Sequence, residues 1–263
     1  MLKCPVCEKE LKKVNRTYKC EKNHSFDIAK QGYTNLFMKS SKHSGDGKEM
    51  VEARTTFLNQ NHYEPLLNTL IDILSKLKPS VIIDAGCGEG YYTNKIQEAL
   101  NCEVYGFDLS KDALKYASRT NKNVHYFLSN IYDIPMMDAS CDVILNIFAP
   151  LSNKEYMRLV KEGGYLIKVD PHHKHLKEMK DFLYDEVYEN EVLDLDVEGF
   201  TLMDYKEVTY KMSLDNTSIS SLFKMTPYYY KTKIEKGNEL MKLQHLDCTA
   251  SFIIYIYKKN DIK

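Results

Sequence analysis

A short strand followed at once by a glycine-rich turn limits the folds open to this chain more than any other feature. The apolar residues Val81, Ile82 and Ile83 lead directly into the run Asp84-Ala85-Gly86-Cys87-Gly88-Glu89-Gly90, after which a helical pattern begins. This order is typical of a βαβ unit, whose strand lies in a parallel sheet. Glycines let the backbone of such a turn approach a ligand closely. The segment therefore predicts an α/β domain that binds a ligand where its first strand ends.

The alternation of strands and helices continues downstream. Four more buried strands are predicted, at residues 104–107, 124–128, 142–147 and 165–169. A helix is expected over residues 172–190, and two closing strands, over 201–212 and 249–257, are expected to pair antiparallel at the far edge. Together these elements predict a doubly wound, mostly parallel sheet of seven strands. Upstream, residues 49–77 have a helical pattern that ends at Pro79.

The spacing of the glycines distinguishes between cofactors. Gly86, Gly88 and Gly90 form a Gly-x-Gly-x-Gly pattern after Asp84, whereas dinucleotide-binding folds carry Gly-x-Gly-x-x-Gly and place a pyrophosphate at the helix N-terminus. A sulfonium ligand has no phosphate and would lie across the turn, with its amino-acid part near Asp84. We therefore predict a class I Rossmann-like methyltransferase domain that binds S-adenosyl-L-methionine (SAM), with a nicotinamide enzyme as the alternative.

Polar residues also follow the next two predicted strands. Asp108 ends the second strand, where a carboxylate can accept hydrogen bonds from both ribose hydroxyls, and Asn130 follows the third, where it could read the adenine edge. The carboxyl ends of parallel strands share one edge of a sheet, so Asp84, Asp108 and Asn130 are expected around one ligand. The alternative is that the two acids only cap loops.

A metal site is predicted near the start of the chain. Cys4 and Cys7 form one ligand pair, and Cys20 and His24 form a second. Zinc takes such ligands in tetrahedral geometry, and four protein ligands leave no open position for a substrate. We predict a structural zinc ion in a small zinc ribbon or knuckle over residues 1–37, which gains folding free energy from the metal. A Cys-x-x-Cys redox pair is the alternative.

Charge and cysteine content indicate the partner and the compartment. Residues 1–48 contain 11 Lys and Arg against 5 Asp and Glu, a net of +6, which leaves −7 for the rest of a chain whose net charge is −1. A basic module suggests a polyanionic partner, with a solvated lysine-rich surface as the alternative.

Seven cysteines without a disulfide pattern favour a reducing compartment. The N-terminus has no apolar signal core, and no apolar run approaches the roughly 18 residues of a membrane span. We expect a cytoplasmic protein.

Across nearly its whole length the chain resembles the bacterial 23S rRNA (guanine-N1)-methyltransferase family. The motifs that carry the resemblance are Cys4-Pro5-Val6-Cys7, Cys20-x-x-x-His24-x-Phe26-Asp27-x-Ala29-Lys30-x-Gly32-Tyr33-x-Asn35-Leu36, Gly45-Asp46-x-x-Glu49-Met50, Ala53-Arg54, Phe57-Leu58, His62-Tyr63-x-Pro65-Leu66, the segment from Asp84 to Thr93, Ala149-Pro150, His175-Leu176, Gly199-Phe200 and Met225-Thr226-Pro227. A zinc module joined to this glycine turn, with these motifs in order, is more specific than either part alone.

The resemblance implies roles for individual residues. It makes Cys4, Cys7, Cys20 and His24 the zinc ligands and assigns SAM binding to Gly88, Glu89 and Asp108. It also places Tyr63 and His175 at positions that close over the cofactor. From the residue pattern alone, Tyr63 would be a helix-packing tyrosine and His175 a surface histidine. The resemblance further implies a homodimer in which two zinc modules frame one RNA cleft.

The substrate is expected next to the segment that follows the fourth strand. Asn146, Phe148 and Pro150 are the candidate pocket residues; Asn146 could bond to the guanine edge but cannot act as a base. The chain departs at Asn146 and Phe148 from one branch of the family, so the choice between two neighbouring guanines stays open. Asp133, Asp170 and His172 are the candidate proton acceptors.

In the module, basic side chains would hold RNA phosphates: Lys12, Lys13, Arg16, Lys19, Lys22 and Lys30. Tyr18, Phe26 and Tyr33 could stack on bases or pack around the zinc site.

The predicted organisation is a zinc-binding RNA-recognition module over residues 1–37, a linker and helices over 38–80, and a methyltransferase domain over 81–263. The expected function is SAM-dependent methylation of guanine N1 in a hairpin loop of 23S rRNA. Two alternatives stay open: a SAM-dependent methyltransferase acting on a small molecule, and a non-catalytic RNA-binding adaptor that keeps the fold.

Overall fold

The computed structural model describes residues 1–38, 45–185 and 196–261. Four short strands occupy the N-terminal module: β1 (Lys12–Val14), β2 (Thr17–Lys19), β3 (Ser25–Asp27) and β4 (Thr34–Asn35). The first three form an antiparallel sheet, and the β1–β2 hairpin lies between the Cys4/Cys7 pair and the Cys20/His24 pair. Its turn depends on Asn15, whose φ of 57° is a left-handed conformation that asparagine tolerates well.

Two helices replace the single helical pattern upstream of the glycine turn: α1 (Lys48–Asn59) and α2 (Glu64–Leu77). The break falls at Asn61, whose φ is 61°, and Pro65 occupies the first turn of α2, where a missing N–H costs nothing. Lys78 ends α2 in the left-handed conformation. Of the linker and helices predicted over residues 38–80, residues 39–44 lie outside the described residues.

The methyltransferase domain alternates strands and helices as expected. In chain order its elements are β5 (Val81–Ala85), α3 (Tyr91–Leu100), β6 (Glu103–Asp108), α4 (Lys111–Thr120), β7 (Val124–Leu128), β8 (Cys141–Ile147), α5 (Asn153–Leu159), β9 (Val160–Pro171), α6 (Lys177–Leu183), β10 (Phe200–Asp215), α7 (Asn216–Lys224), α8 (Tyr228–Lys231), α9 (Ile234–Leu240) and β11 (His245–Lys259). None of the helices in the described ranges has both the length and the apolar character needed to cross a bilayer.

The large sheet has the strand order β10-β11-β9-β8-β5-β6-β7-β4. β4, β7, β6, β5, β8 and β9 run parallel, and β11 pairs antiparallel with both β9 and β10. The doubly wound, mostly parallel sheet with an antiparallel edge is therefore confirmed. The sheet contains eight strands where seven were expected, because β4 of the N-terminal module adds to its edge.

One predicted helix is much shorter in the structure. Of the helix expected over residues 172–190, α6 forms only Lys177–Leu183. Leu176 adopts a φ of 56°, and its N–H bonds to the Thr249 carbonyl of β11 instead of continuing a helix. Residues 172–175 form a turn closed by a bond from the His175 N–H to the His172 carbonyl. Residues 186–190 lie outside the described part of the chain.

The N-terminal module and the methyltransferase domain share one hydrophobic core. Thr34 and Asn35 are in register with Phe127 and Leu128 of β7, and the Leu36 N–H donates to the Leu128 carbonyl at 3.0 Å. Leu36 is buried in the cluster that contains Phe127. A module this short cannot bury enough apolar surface alone, so the sheet edge completes its core.

Leu36→Ala tests this shared core. Leu36 is 2% exposed, and a buried Leu→Ala change costs roughly 2–5 kcal/mol of unfolding free energy. Val14→Ala is the control, because Val14 is 50% exposed and surface changes stay within about 0.5 kcal/mol. Urea unfolding followed by circular dichroism should show the larger loss for Leu36→Ala. Equal losses for both variants would mean that β4 does not pack on the domain in solution.

Candidate functional site

The four predicted zinc ligands converge in the N-terminal module. Nδ1 of His24 lies 3.6, 3.3 and 3.4 Å from the Sγ atoms of Cys4, Cys7 and Cys20, and the sulfurs of Cys7 and Cys20 are 3.6 Å apart. Tetrahedral zinc with ordinary bond lengths separates its ligand atoms by about 3.5–3.8 Å. The donor set and its spacing fit a closed, structural zinc site.

Two tight turns bring the ligands to this point. In the first, the Glu8 N–H bonds to the Cys4 carbonyl and Glu8 has a φ of 61°; in the second, the Asn23 N–H bonds to the Cys20 carbonyl and Asn23 has a φ of 63°. Each turn aims its two ligand side chains at the same side of the hairpin. A metal ion bound here would link the segment before β1 to the β2–β3 turn, which lie at the same end of the small sheet.

The basic residues of the module divide into two groups. Lys13, Arg16 and Lys30 line a cleft beside β7. Lys12 instead lies 3.6 Å from the Glu10 carboxylate, and neither Lys19 nor Lys22 lines the cleft. Three of the six basic residues predicted to bind phosphate therefore line this cleft, and the other three do not.

The interpretation of the module's aromatic residues as base-stacking groups is wrong for two of the three. Tyr18 and Tyr33 are only 6% and 5% exposed, and Tyr18 packs edge-on against Phe127 with 5.5 Å between ring centroids. Phe26 is half-buried against the same core cluster. These rings instead pack the N-terminal module against the methyltransferase domain.

The glycine turn after β5 is tightly enclosed. Gly86 and Gly90 have φ values of 89° and 82°. A Cβ at Gly86 would lie 2.7 Å from the Ala149 Cβ, and one at Gly90 would lie 2.5 Å from the Tyr126 hydroxyl. Both positions therefore require glycine for conformation and for space.

Asp84 lies near the end of β5, and only one of its two carboxylate oxygens accepts a hydrogen bond from a described residue. Its Oδ2 accepts a hydrogen bond from the Thr93 hydroxyl at 2.6 Å, while its buried Oδ1 has no partner in the described part of the chain. Burial raises the pKa of Asp84 to about 7; the Thr93 bond opposes the rise, and the Asp108 and Glu89 carboxylates add to it. A buried acceptor without a donor is costly, so a ligand ammonium fits this position.

Asp108 is held by backbone N–H groups. Its Oδ2 accepts from Gly88 at 2.9 Å and its Oδ1 from Ser110 at 2.7 Å. Burial raises the pKa of Asp108, although both of these donors lower it. Each oxygen keeps a second lone pair, so the carboxylate is oriented and can still accept from ribose hydroxyls. Asn130 follows β7, and its Oδ1 accepts from the Tyr132 N–H at 3.1 Å.

Arg54 of α1 lies over the glycine turn and was given no role from the sequence. Its Nη1 lies 2.6 Å from the Asp46 carboxylate and 3.7 Å from Glu89, and a Cβ at Gly88 would be 3.6 Å from the same atom. Glu89 is 5% exposed, and its Oε2 accepts no hydrogen bond from any described residue. The only sequence signal for Arg54 is its place among the matching motifs, because no local pattern shows that α1 covers this turn.

Tyr63 and His175 meet inside the protein. The Tyr63 hydroxyl lies 3.4 Å from Nε2 of His175, whose Nδ1 accepts from the Ser251 N–H at 3.2 Å. The surface-histidine alternative is wrong, because His175 is 8% exposed. Burial lowers its pKa to about 3, with Lys180 adding to the fall. The neutral ring therefore carries its proton on Nε2 and donates to Tyr63, which leaves the tyrosine O–H free to donate.

Phe252 of β11 connects this pair to the predicted substrate segment. Its ring centroid lies 4.8 Å from that of Tyr63, 4.6 Å from that of His175 and 5.5 Å from that of Phe148. Phe148 also contacts Tyr92 of α3, at 6.5 Å. The aromatic cluster thus joins the cofactor turn to the end of β8. Nothing in the sequence distinguishes Phe252 from other apolar residues of a buried strand.

The candidate substrate residues differ in what they can offer. Asn146 is fully buried and its amide donates to the Pro150 carbonyl at 2.9 Å and to the Tyr156 hydroxyl at 2.8 Å, so only its unpartnered Oδ1 is left for a ligand. Phe148 is 43% exposed and has a φ of 55°, a strained conformation for an aromatic residue. Pro150 is exposed.

The three candidate proton acceptors lie in two places. Asp133 is exposed in the turn after β7. Asp170 and His172 are at the end of β9, whose Lys168 is in register with Asn146 of β8. Asp170 forms an ion pair with Lys168, and burial lowers the pKa of Lys168 to about 8.

A pH titration of SAM affinity tests the role of Asp84. The methionyl ammonium, with a pKa of about 7.7–8.0, favours an ionised partner. Because burial raises the Asp84 pKa to about 7, affinity should rise with pH by up to about tenfold per unit from roughly pH 5.5 to pH 7. Asp84→Asn should weaken binding and flatten this dependence, whereas the exposed Asp72→Asn should change neither. A SAM Kd independent of pH in the wild type would contradict the assignment.

Comparisons with known proteins agree with both sites. A family model described as "RlmA, N-terminal" matches residues 2–45, and one described as "Methyltransferase domain" matches residues 82–183. The solved structure of the YcgJ protein from Bacillus subtilis has a TM-score of 0.52 at 15% identity, covering 76% of this chain and all of that one. This likeness shows the fold.

Named relatives span both parts of the chain. A 23S rRNA (guanine(748)-N(1))-methyltransferase of Streptomyces fradiae is 34% identical over 188 residues, which cover 69% of this chain and 67% of that protein. A Bacillus subtilis (strain 168) protein, YxjB, named as a candidate 23S rRNA (guanine-N(1)-)-methyltransferase, is 31% identical and covers 98% of this chain and 97% of its own length. With its zinc ribbon and its SAM-dependent methyltransferase domain, this chain belongs to the 23S rRNA (guanine-N1)-methyltransferase family.

Proposed function

We propose that this protein transfers the methyl group of SAM to N1 of a guanine in a hairpin loop of 23S rRNA. The observation that carries the proposal is the extent of the similarity to relatives named for this reaction, which includes the zinc module as well as the cofactor domain. A small-molecule methyltransferase would need only the second part.

The residues around the glycine turn would hold the cofactor. SAM supplies a methyl group on a sulfonium, which is a good leaving group. The unpartnered Oδ1 of Asp84 would accept from the methionyl ammonium, and Asp108, oriented by the Gly88 and Ser110 N–H groups, would accept from the ribose hydroxyls. Gly86 and Gly88 would lie against the ligand, Asn130 near the adenine, and Glu89 would complete the acidic side of the site.

Tyr63 and His175 would close over the cofactor from the opposite side. The support for this is the hydrogen bond from His175 to Tyr63, which leaves the tyrosine O–H free to donate, and the packing of both rings on Phe252. Because Phe252 also touches Phe148, the same contacts would place the cofactor next to the base.

The guanine would lie at the end of β8. N1 is on the pairing edge, so the base must be unpaired or flipped out of its stack before transfer. The exposed ring of Phe148 offers a face for stacking, and Oδ1 of Asn146 can accept from a guanine N–H. Pro150 would line the pocket beside them. We assign the N1 proton to the end of β9, where Asp170 and His172 lie one strand from Asn146.

We also propose a homodimer and a cytoplasmic location. A dimer is what the family resemblance implies. β10 supports it, because this 16-residue strand forms a sheet edge with Met203 and Tyr205 58% and 54% exposed, and such edges invite pairing. The free cysteines are consistent with a reducing compartment.

The first test is methyl transfer to unmodified 23S rRNA with labelled SAM, followed by primer extension. N1-methylguanine blocks the pairing edge, so one reverse-transcription stop in a hairpin loop is expected. Label on free small molecules but not on rRNA would favour the small-molecule alternative. SAM and rRNA binding without any transfer would favour the adaptor.

Phe148→Ala tests the proposed stacking in the same assay. Loss of one base–aromatic stack, worth about 1–3 kcal/mol, should lower kcat/KM for RNA roughly 5- to 150-fold. The SAM Kd should change little, because Asp84 and Asp108 are untouched. Tyr230→Ala is the matched control, since Tyr230 is an exposed aromatic residue (69%) on the separate helix α8. Equal effects of the two variants would remove Phe148 from the substrate site.

A further inference from the structure

A cleft lies between the N-terminal module and the edge of the large sheet. One wall is formed by the β1–β2 hairpin and the segment leading into β4, and the other by β7 and Lys122, two residues upstream of it. Its volume of about 240 Å³ is well above the roughly 30 Å³ that one water molecule takes up in the liquid. The cofactor and substrate candidates of the sheet lie at the carboxyl ends of β5, β6, β7 and β8, and none of them lines this cleft, so the cleft is a separate place.

The lining of the cleft carries charge of one sign. Lys13, Arg16, Lys30 and Lys122 line it together with His125, and no Asp or Glu of the described ranges does. Among the residues that the structure describes, none of these four cations forms an ion pair, whereas Lys9 and Lys12 of the same module do. Like charges gathered in a concave surface repel one another and concentrate anions. Within the described residues, the lining of the cleft therefore holds an excess of positive charge.

Two of the cations are held in place by the backbone. Arg16 Nη2 donates to the Ala29 carbonyl at 3.0 Å and to the Ile28 carbonyl at 3.4 Å. Lys122 Nζ donates to the Gln31 carbonyl at 3.0 Å and to the Ser118 carbonyl, and so joins the domain to the module. A guanidinium has five N–H donors, which leaves Arg16 donors for a ligand. Such preorganisation lowers the entropy lost on binding.

His125 adds a neutral hydrogen-bonding group. Burial lowers its pKa; Lys13 adds to the fall and Glu103 opposes it. The ring therefore stays uncharged at neutral pH and leaves the binding of an anion to the four cations.

We propose that this cleft binds a backbone phosphate of the RNA, at a second point of contact away from the methylated base. The inference rests on the proposed function, because it takes RNA as the substrate. Phosphate is the favoured ligand because the lining offers cations, while Tyr18, the nearest aromatic residue of the module, is buried and unavailable for stacking. A phosphate contact fixes orientation without reading sequence.

A pair of double variants tests the proposal. Lys13→Gln with Lys30→Gln removes two cleft charges, and Lys19→Gln with Lys22→Gln removes two charges from exposed positions of the same module outside the cleft. Binding of a 23S rRNA transcript should be measured by filter binding over a range of salt concentrations. Melting temperatures of both variants check folding, and the SAM Kd should be unchanged.

Only the cleft variant should lose specific contacts. Each lost phosphate contact lowers the slope of log K against log salt by about 0.7–0.9, so the cleft variant, which lacks two cations, should lose up to about 1.8 and bind RNA roughly tenfold or more weakly. The control variant should show a clearly smaller change. Equal changes in the two would overturn the proposal in favour of diffuse attraction, while methyl transfer by the wild type would leave the proposed function standing.

Inorganic phosphate distinguishes the two sources from which the ligand could come, the RNA backbone and a free anion in solution. At constant ionic strength, free phosphate should protect the wild type and the cleft variant equally against heat. Selective protection of the wild type, with RNA affinity equal in both double variants, would identify a free anion as the ligand and contradict the RNA assignment. A wild type that neither binds nor methylates rRNA would overturn the proposed function and this inference together.

Discussion

The pairing of β4 with β7 is the interaction on which the rest of the molecule depends. Three residues of the N-terminal module, Thr34 to Leu36, bond to the end of β7 and make the module part of the large sheet. Aromatic side chains that could have faced RNA pack between the module and the sheet instead. Tyr18, for example, packs edge-on against Phe127. The metal site therefore packs, through Cys4 and Cys20, into the same hydrophobic cluster as Phe127 of β7, and the cationic cleft lies between the module and β7.

The cofactor site is organised around an excess of carboxylates. Asp46, Asp84, Glu89 and Asp108 surround the glycine turn, and Arg54 is the basic residue that contacts Asp46 and Glu89 there. Burial raises the pKa of Asp84, Glu89 and Asp108, so their ionised forms are disfavoured without a cation. A sulfonium ligand brings that positive charge.

Local patterns predicted the parts of this structure that local physics determines. The strand before Asp84, its glycine turn and the zinc ligands are set by residue type and spacing within a few positions. The sequence could not show that Thr34 and Asn35 form an eighth strand, since two residues carry no periodicity. Nor could it place Arg54 or Phe252, because both act across the fold. The helix expected over residues 172–190 fails at Leu176 because its N–H bonds to β11, a tertiary contact that overrides helical periodicity.

We propose that the zinc module positions RNA for a cofactor domain that binds SAM by itself. Removing zinc with a chelator and measuring SAM affinity and rRNA methylation on the same sample tests it most directly. Methylation should fall by about 100-fold or more, the scale expected for a misplaced substrate, while the SAM Kd changes by less than about tenfold, and added zinc should restore transfer. Undiminished methylation without zinc would contradict it, and so would a loss of SAM binding as large as the loss of methylation.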